Sequence, residues 1–174
     1  MITPGKPFEI VENTASARKT PTALHFGEVR AYGGDAISRR ASKPQLTFFH
    51  LQDFISPPED LGARYVASGW HYDEANEAAL VDVPAYRGDE PREYRVEELL
   101  AMILAHGKSL MEKKQGSPAP IDVTITIPSH FSVREREMIL DAAELAGLKV
   151  QFLLHENTAA SIAYAISRPL SNDT

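Results

Sequence analysis

The sequence predicts an α/β fold, and three observations predict it. Residues 121–165 read in order as strand, helix, strand and helix, the pattern of a parallel strand pair joined by a crossover. Residues 96–114 carry apolar side chains at spacings of three and four, the signature of one long amphipathic helix. Before them, short apolar stretches are parted by Gly and Pro, as short strands and turns require.

Taken in order, Phe8-Glu9-Ile10-Val11-Glu12 alternates as a half-buried strand should, and residues 13–20 form a polar turn. Residues 23–26 and 29–32 flank Gly27-Glu28 as the two strands of a hairpin. Gly33-Gly34-Asp35 offers a flexible lead and an N-cap for a helix over 36–41, stopped at Pro44. Phe48, Leu51, Phe54 and Ile55 fall on one side of a helix drawn through 46–55, which Pro57-Pro58 ends. Short strands are then expected at 65–67 and 80–83, with Trp70 as a partly buried core aromatic.

Val96, Leu99, Leu100, Ile103, Leu104, Leu110 and Met111 line the long helix, and Gly116 with Pro118 closes it. Residues 121–127 alternate strictly until Pro128. Ser132-Val133-Arg134-Glu135 has the form of a capping box opening a helix to residue 146, with Gly147 as its cap. Residues 150–154 are a continuous apolar run of strand length, and Glu156-Asn157-Thr158 leads directly into a helix of small residues over 159–165.

Composition narrows the functional classes. The 174 residues suffice for one domain or two small subdomains, and a chain of this length buries roughly 70% of its unfolded surface. Hydrophobic residues make up 43% and charged residues 24%, a globular balance. No segment approaches the roughly 18 consecutive apolar residues of a membrane helix. The net charge is −6, and the basic residues occur in scattered pairs among acidic neighbours, so nucleic acid is not an expected partner. With no cysteine there are no disulfides, thiolate metal sites or thiol nucleophiles. The first residues carry no apolar signal region, which fits either a cytosolic protein or one whose targeting segment has been removed.

His25, His50, His71, His106, His130 and His155 show no metal-ligand spacing, so no metal site is expected. Walker-type and dinucleotide glycine loops are missing, as is a nucleophile elbow. The position with chemical promise is Glu156, at the C-terminal end of a buried strand and at the start of a helix, where parallel sheets place ligand groups. A carboxylate there either orders water around magnesium or simply favours the positive end of the helix dipole.

Several segments then resemble one family in concert. They are Ile125-Thr126-Ile127-Pro128-Ser129-His130-Phe131, Arg136, Ala146-Gly147-Leu148-Lys149-Val150, and Glu156-Asn157-Thr158-Ala159-Ala160-Ser161-Ile162-Ala163-Tyr164. Together they resemble the central stretch of the nucleotide-binding domain of the seventy-kilodalton heat-shock chaperone superfamily. Phe8-Glu9-Ile10-Val11, Arg18-Lys19-Thr20-Pro21, Gly34-Asp35-Ala36 and residues 48–55 fall in the family's order, whereas 57–93 match poorly. Asn157, where common members carry proline, is similar to the enlarged hundred-and-ten and hundred-and-seventy kilodalton relatives. The segment Lys6 to Val11 with Arg18-Lys19-Thr20-Pro21 resembles the latter, lumenal class.

The resemblance implies part of lobe I of an actin-like (ribonuclease H-like) ATPase domain. Subdomain A would span 1–21 and 97–174, with an inserted α/β subdomain B at 22–96. The family's phosphate hairpins would lie before residue 1 and after 167–174, and the adenosine pocket in the second lobe. The expected chain is therefore inert alone, and its parent a slow ATPase using ATP or ADP with magnesium. By resemblance Glu156 orders magnesium-bound water and polarises the attacking water, while Gln52 stands where the family has a lysine. Losing such a contact lowers the rate by roughly 10² to 10³. Pro128 and Arg136 match the relay toward the peptide-binding domain, in which Asn157 replaces a ring. As residues alone, Pro128 reads as a strand terminator and Arg136 as an exposed helix arginine.

The implied partners are a smaller heat-shock chaperone and unfolded polypeptide, in the endoplasmic reticulum lumen or alternatively the cytoplasm. With the family's first strands outside this chain, the Phe8 strand is expected to pair with the strand at 121–127, or across a homodimer. A stand-alone module that binds a chaperone without nucleotide is the alternative function. A sugar-kinase relative is disfavoured because the resemblance continues through subdomain B.

Overall fold

The computed structural model describes residues 9–56, 69–73, 78–86, 90–116, 118 and 121–167. These residues form a mixed α/β fold with three small sheets. The first sheet joins β1 (Ala23–His25), β2 (Ala31–Tyr32) and β3 (Thr47–Phe49), all antiparallel in the order β2-β1-β3. Leu24 faces Tyr32 on one side and Phe48 on the other, so the hairpin read from Gly27-Glu28 is present.

Helix α1 (Gly33–Arg39) follows β2 without a break, three residues earlier than the spacing predicts. Asp35 lies in its first turn and does not cap it; Tyr32, extended, holds the cap position. The helix read over 46–55 is corrected: the chain makes a 3-10 turn (Pro44–Leu46), strand β3, and a second 3-10 turn (Leu51–Phe54). Thr47, Phe48 and Phe49 favour a pleated, half-buried surface, and β1 supplies one. His50 then turns left-handed (φ +54°), which no helix tolerates in its interior. The apolar residues behind the helical reading are nonetheless core residues: Phe48, Leu51, Phe54 and Ile55 are all buried.

The second sheet is an antiparallel meander of β4 (Trp70–Asp73), β5 (Ala78–Val83) and β6 (Arg92–Arg95). Alternation sends Trp70, Ala79, Val81, Val83 and Tyr94 to the core side. Gly69 leads into β4 with φ +70°, and its carbonyl accepts the Asp82 N–H at 2.8 Å. A Cβ there would stand 2.6 Å from the Asp82 carbonyl oxygen, so the close approach requires glycine. β6 escaped the sequence reading because Tyr94 alone among its four residues packs on the core. The strand expected at 65–67 lies outside the described residues.

Helix α2 (Val96–Gln115) buries Val96, Leu99, Leu100 and Ala101. Its N-terminus is closed by the Glu98 carboxylate, which accepts the Arg95 N–H at 2.8 Å. Its C-terminus ends at Gly116, whose N–H reaches the Glu112 carbonyl. Strand β7 (Asp122–Ile127) and strand β8 (Lys149–His155) pair in parallel, joined by α3 (Val133–Leu145), and α4 (Glu156–Ser167) follows β8. The predicted crossover is therefore present. Glu135 accepts the Ser132 N–H, as the capping box requires. Gln151 is an extra residue in β8, since Val123 faces Val150 while Thr124 faces Phe152.

Two expectations about this sheet are corrected. β8 is not a buried strand, for Phe152 is 70% exposed and no described element covers that face. Nor do residues 9–12 pair with β7. They run without regular structure along the end of α2, where Lys114 Nζ contacts the Glu9 carboxylate (2.9 Å) and the Ile10 carbonyl (3.2 Å). Phe8 itself lies outside the described residues, and β7 has β8 as its one neighbour among them.

The larger of two apolar clusters among the described residues runs from Leu24, Phe48 and Leu51 through Val81 and Leu99 to Ile127, Met138 and Ala142. No helix of the described residues is long and apolar enough to cross a membrane.

Candidate site at the ends of the parallel strands

Ile127 and His155 sit opposite each other at the C-terminal ends of β7 and β8. Pro128 and Glu156 are the next residues of each strand, so the register brings the two together from distant parts of the sequence. Pro128 ends β7, and its carbonyl accepts the Phe131 N–H at 3.3 Å in the turn toward α3. Arg136, one turn into α3, reaches back: Nε–H donates to the Phe131 carbonyl at 3.0 Å, and Nη2 lies 3.1 Å from His155 Nε2. Arginine only donates, so His155 Nε2 must accept and its proton must sit on Nδ1. The guanidinium thus fastens the Pro128–Phe131 turn to the end of β8, one residue before Glu156.

Glu156 opens α4 with its side chain exposed and without a hydrogen-bond or ion-pair partner among the described residues. It stands at the positive end of a helix dipole. Asn157 is exposed beside it, and its carbonyl accepts the Ser161 hydroxyl at 2.9 Å. Gln52 lies elsewhere, exposed in the second 3-10 turn, where its Oε1 accepts the Thr22 hydroxyl. No hydrogen bond joins it to Glu156 among the described residues.

Below Arg136, Glu135 ties α3 to the first half of the chain. Burial raises the affinity of its carboxyl for a proton, but hydrogen bonds from the Ser56 hydroxyl and from the Ser132 hydroxyl and N–H, with His130 nearby, outweigh it and hold the group below its ordinary range. His155 was missed as a member of this site because its role depends on strand register, which spacing does not encode.

A second polar cluster lies on the outer face of the meander. Asp82 and Glu93 are directly opposed across β5 and β6, an unfavourable pairing of like charges. His71 on β4 stands between them, Nδ1 at 3.6 Å from Asp82 and Nε2 at 3.3 Å from Glu93. The three offer ligand atoms within 4.8 Å of one another, a spacing compatible with a divalent ion. The three groups come from three strands, so no local motif announces them.

A family described as "Hsp70 protein" matches residues 1–173. Hypoxia up-regulated protein 1 of Xenopus laevis is 36% identical over 97% of this chain, which spans 26% of that relative. The proteins of the same name from Rattus norvegicus and Homo sapiens are 33% and 31% identical over 97% of the chain, in each case 17% of the relative. The chain thus spans about a quarter or less of the curated relatives it matches.

Proposed function

This chain belongs to the Hsp70 family, and on that premise we propose that it forms part of lobe I of an actin-like nucleotide-binding domain and does not hydrolyse ATP by itself. In this reading subdomain A comprises 1–21 and 97–174, and subdomain B comprises 22–96. The observation that supports it is the position of Glu156, a carboxylate without a partner among the described residues, at the C-terminal end of a parallel strand pair and at a helix N-terminus. The donor set fits one oxygen directed at a hydrated magnesium ion and no more: Gln52 contributes a neutral amide, already bonded to Thr22. Pro128, Arg136 and Asn157 adjoin that carboxylate, which suits them to passing nucleotide state outward, with Arg136 as the fastening point. Magnesium nucleotide, when bound in the parent, supplies the phosphoryl chemistry; the residues here orient water and hold the turn.

The parent is read as a slow chaperone ATPase of the endoplasmic reticulum lumen that holds unfolded chains and acts on a smaller partner chaperone. Calorimetric titration of this chain with ATP and magnesium tests whether these residues hold nucleotide by themselves. No binding tighter than about 100 µM, roughly −5.5 kcal/mol, is expected. Tighter binding refutes it.

The exposed apolar side chains of β8 and α4, Phe152, Ile162, Tyr164 and Ile166, support a second reading, in which the chain is an interaction module that works without nucleotide. β7, with one strand neighbour among the described residues, also permits a strand-paired homodimer. Light scattering across a concentration series distinguishes these: a dimer lost on introducing proline into β7 supports strand pairing, and a persistent monomer sinks it.

A further inference from the structure

The outer face of the meander sets two carboxylates against one imidazole. Asp82 on β5 and Glu93 on β6 are directly opposed, and among the described residues the ring of His71 on β4 is the one basic group paired with either. The two arginines of β6 are engaged elsewhere. Arg95 Nη2 meets Glu97 Oε1 at 3.3 Å, and the Arg92 guanidinium stands 5.7 Å from the centre of the Tyr94 ring.

The imidazole alone does not satisfy this arrangement. A neutral ring has one N–H and one lone pair. With Nδ1 3.6 Å from Asp82 and Nε2 3.3 Å from Glu93, one of the two nitrogens must present its lone pair to a carboxylate oxygen, acceptor against acceptor. A proton on that nitrogen removes the conflict but sets one positive charge against two negative ones. A divalent cation cancels both carboxylates and takes the lone pair as a ligand.

The spacing suits such an ion. Donors bound at about 2.0–2.2 Å to one ion stand roughly 3–4 Å apart, and one ligand atom from each of His71, Asp82 and Glu93 already lies within 4.8 Å of the other two. Their side chains are 42%, 64% and 53% exposed, so an ion reaches them from water and the carboxylates have room to close in on it. His71 faces Leu80 across β4 and β5, and Asp82 faces Glu93 across β5 and β6, so the donors hang from paired strands whose register holds them together. One nitrogen with two carboxylate oxygens is a donor set for a zinc-class ion, since magnesium and calcium favour oxygen throughout.

We infer that His71, Asp82 and Glu93 form a surface site for a divalent transition-metal ion of the zinc class. One ring nitrogen and one oxygen from each carboxylate are the ligands, and water completes the shell. The ion ties together all three strands of the meander, including β4 and β6, which do not pair with each other. Neither Glu156 nor nucleotide takes part, so the site stands apart from the function proposed above.

The test is calorimetric titration of the chain, dialysed free of metal, with zinc chloride and separately with calcium chloride. One zinc ion per chain is expected to bind saturably with Kd below about 100 µM, and calcium at least about tenfold more weakly. His71→Ala and Glu93→Gln, both at half-exposed positions, should keep the fold and each weaken zinc at least about tenfold. The ring resonances of the six histidines in the unaltered chain identify the ligand directly. Those of His71 should shift on adding zinc while those of His25, His50, His106, His130 and His155 stay, and this measurement decides if either variant does not fold. Absence of saturable binding, calcium matching zinc, an unaltered affinity in either folded variant, or a zinc response at other histidines without one at His71 overturns the proposal.

Discussion

Replacing Arg136 by alanine is the most direct probe of how the candidate site is held. The change removes two hydrogen bonds from a charged donor, to the Phe131 carbonyl at 3.0 Å and to His155 Nε2 at 3.1 Å. Bonds of that type contribute about 1.5–3 kcal/mol each, and the half-buried position of Arg136 argues for the lower end, so the pair is worth about 3 kcal/mol. In a chain of this size each kcal/mol moves the melting temperature by about 2–4 °C, so the drop should be about 6–12 °C. Arg136→Lys keeps the charge but not the fork, and should fall between. A double-mutant cycle with His155→Ala, followed by urea denaturation, isolates the single bond to the ring, with an expected coupling of about 1–1.5 kcal/mol. A coupling below about 0.5 kcal/mol would show that the turn before α3 is not fastened to β8 through this contact, and the account of the site would fail.

Two further perturbations test other parts of the fold. Burial first, then the charges of Arg39 and Lys43, hold the His25 imidazole below its ordinary value of 6.5; its Nδ1–H is positioned to donate to Thr47 Oγ1 at 2.8 Å, since that hydroxyl donates onward to the Lys43 carbonyl. The unfolded chain therefore binds this proton more strongly, so its contribution is complete above about pH 6.5 and is lost as pH falls through the folded value. The urea midpoint should drop between about pH 7.5 and about pH 5.5, less steeply in His25→Asn, and an unchanged slope contradicts this. His106 shifts in the same direction, through burial and then Lys113, opposed by Asp35, so a residual slope should remain. Gly69→Ala combines a left-handed backbone with a Cβ only 2.6 Å from the Asp82 carbonyl. It should cost about 2–4 kcal/mol, read as a fall of several degrees in thermal melting, and a loss under about 1 kcal/mol would mean that β4 and β5 part easily there.

The parts of the fold legible in the sequence are those governed by local rules. The long helix, the capping box at Ser132, Gly116 and Gly147 as helix ends, and the crossover between β7 and β8 all follow from periodicity and end signals within one segment. The misreadings arose where distant partners decide. Residues 46–55 look helical until β1 offers Phe48 a strand partner. β8 looks buried because its composition is apolar, although nothing described covers Phe152. At the candidate site the resemblance names Glu156, Pro128, Arg136 and Asn157, but not the imidazole that Arg136 contacts, nor the histidine set between opposed carboxylates on the meander. Both are products of register, which a linear pattern does not contain.

The shared apolar cluster has a consequence for how this chain comes apart. Leu51 and Phe54 from the first half lie in the same cluster as Leu99 and Met138 from the second, so neither half can expose its interior while the other stays shut. Cooperative melting should span the proposed subdomain boundary. Helix α4, with Ile162 and Ile166 exposed, contributes to no such cluster among the described residues and should fray first, carrying the Glu156 carboxylate with it.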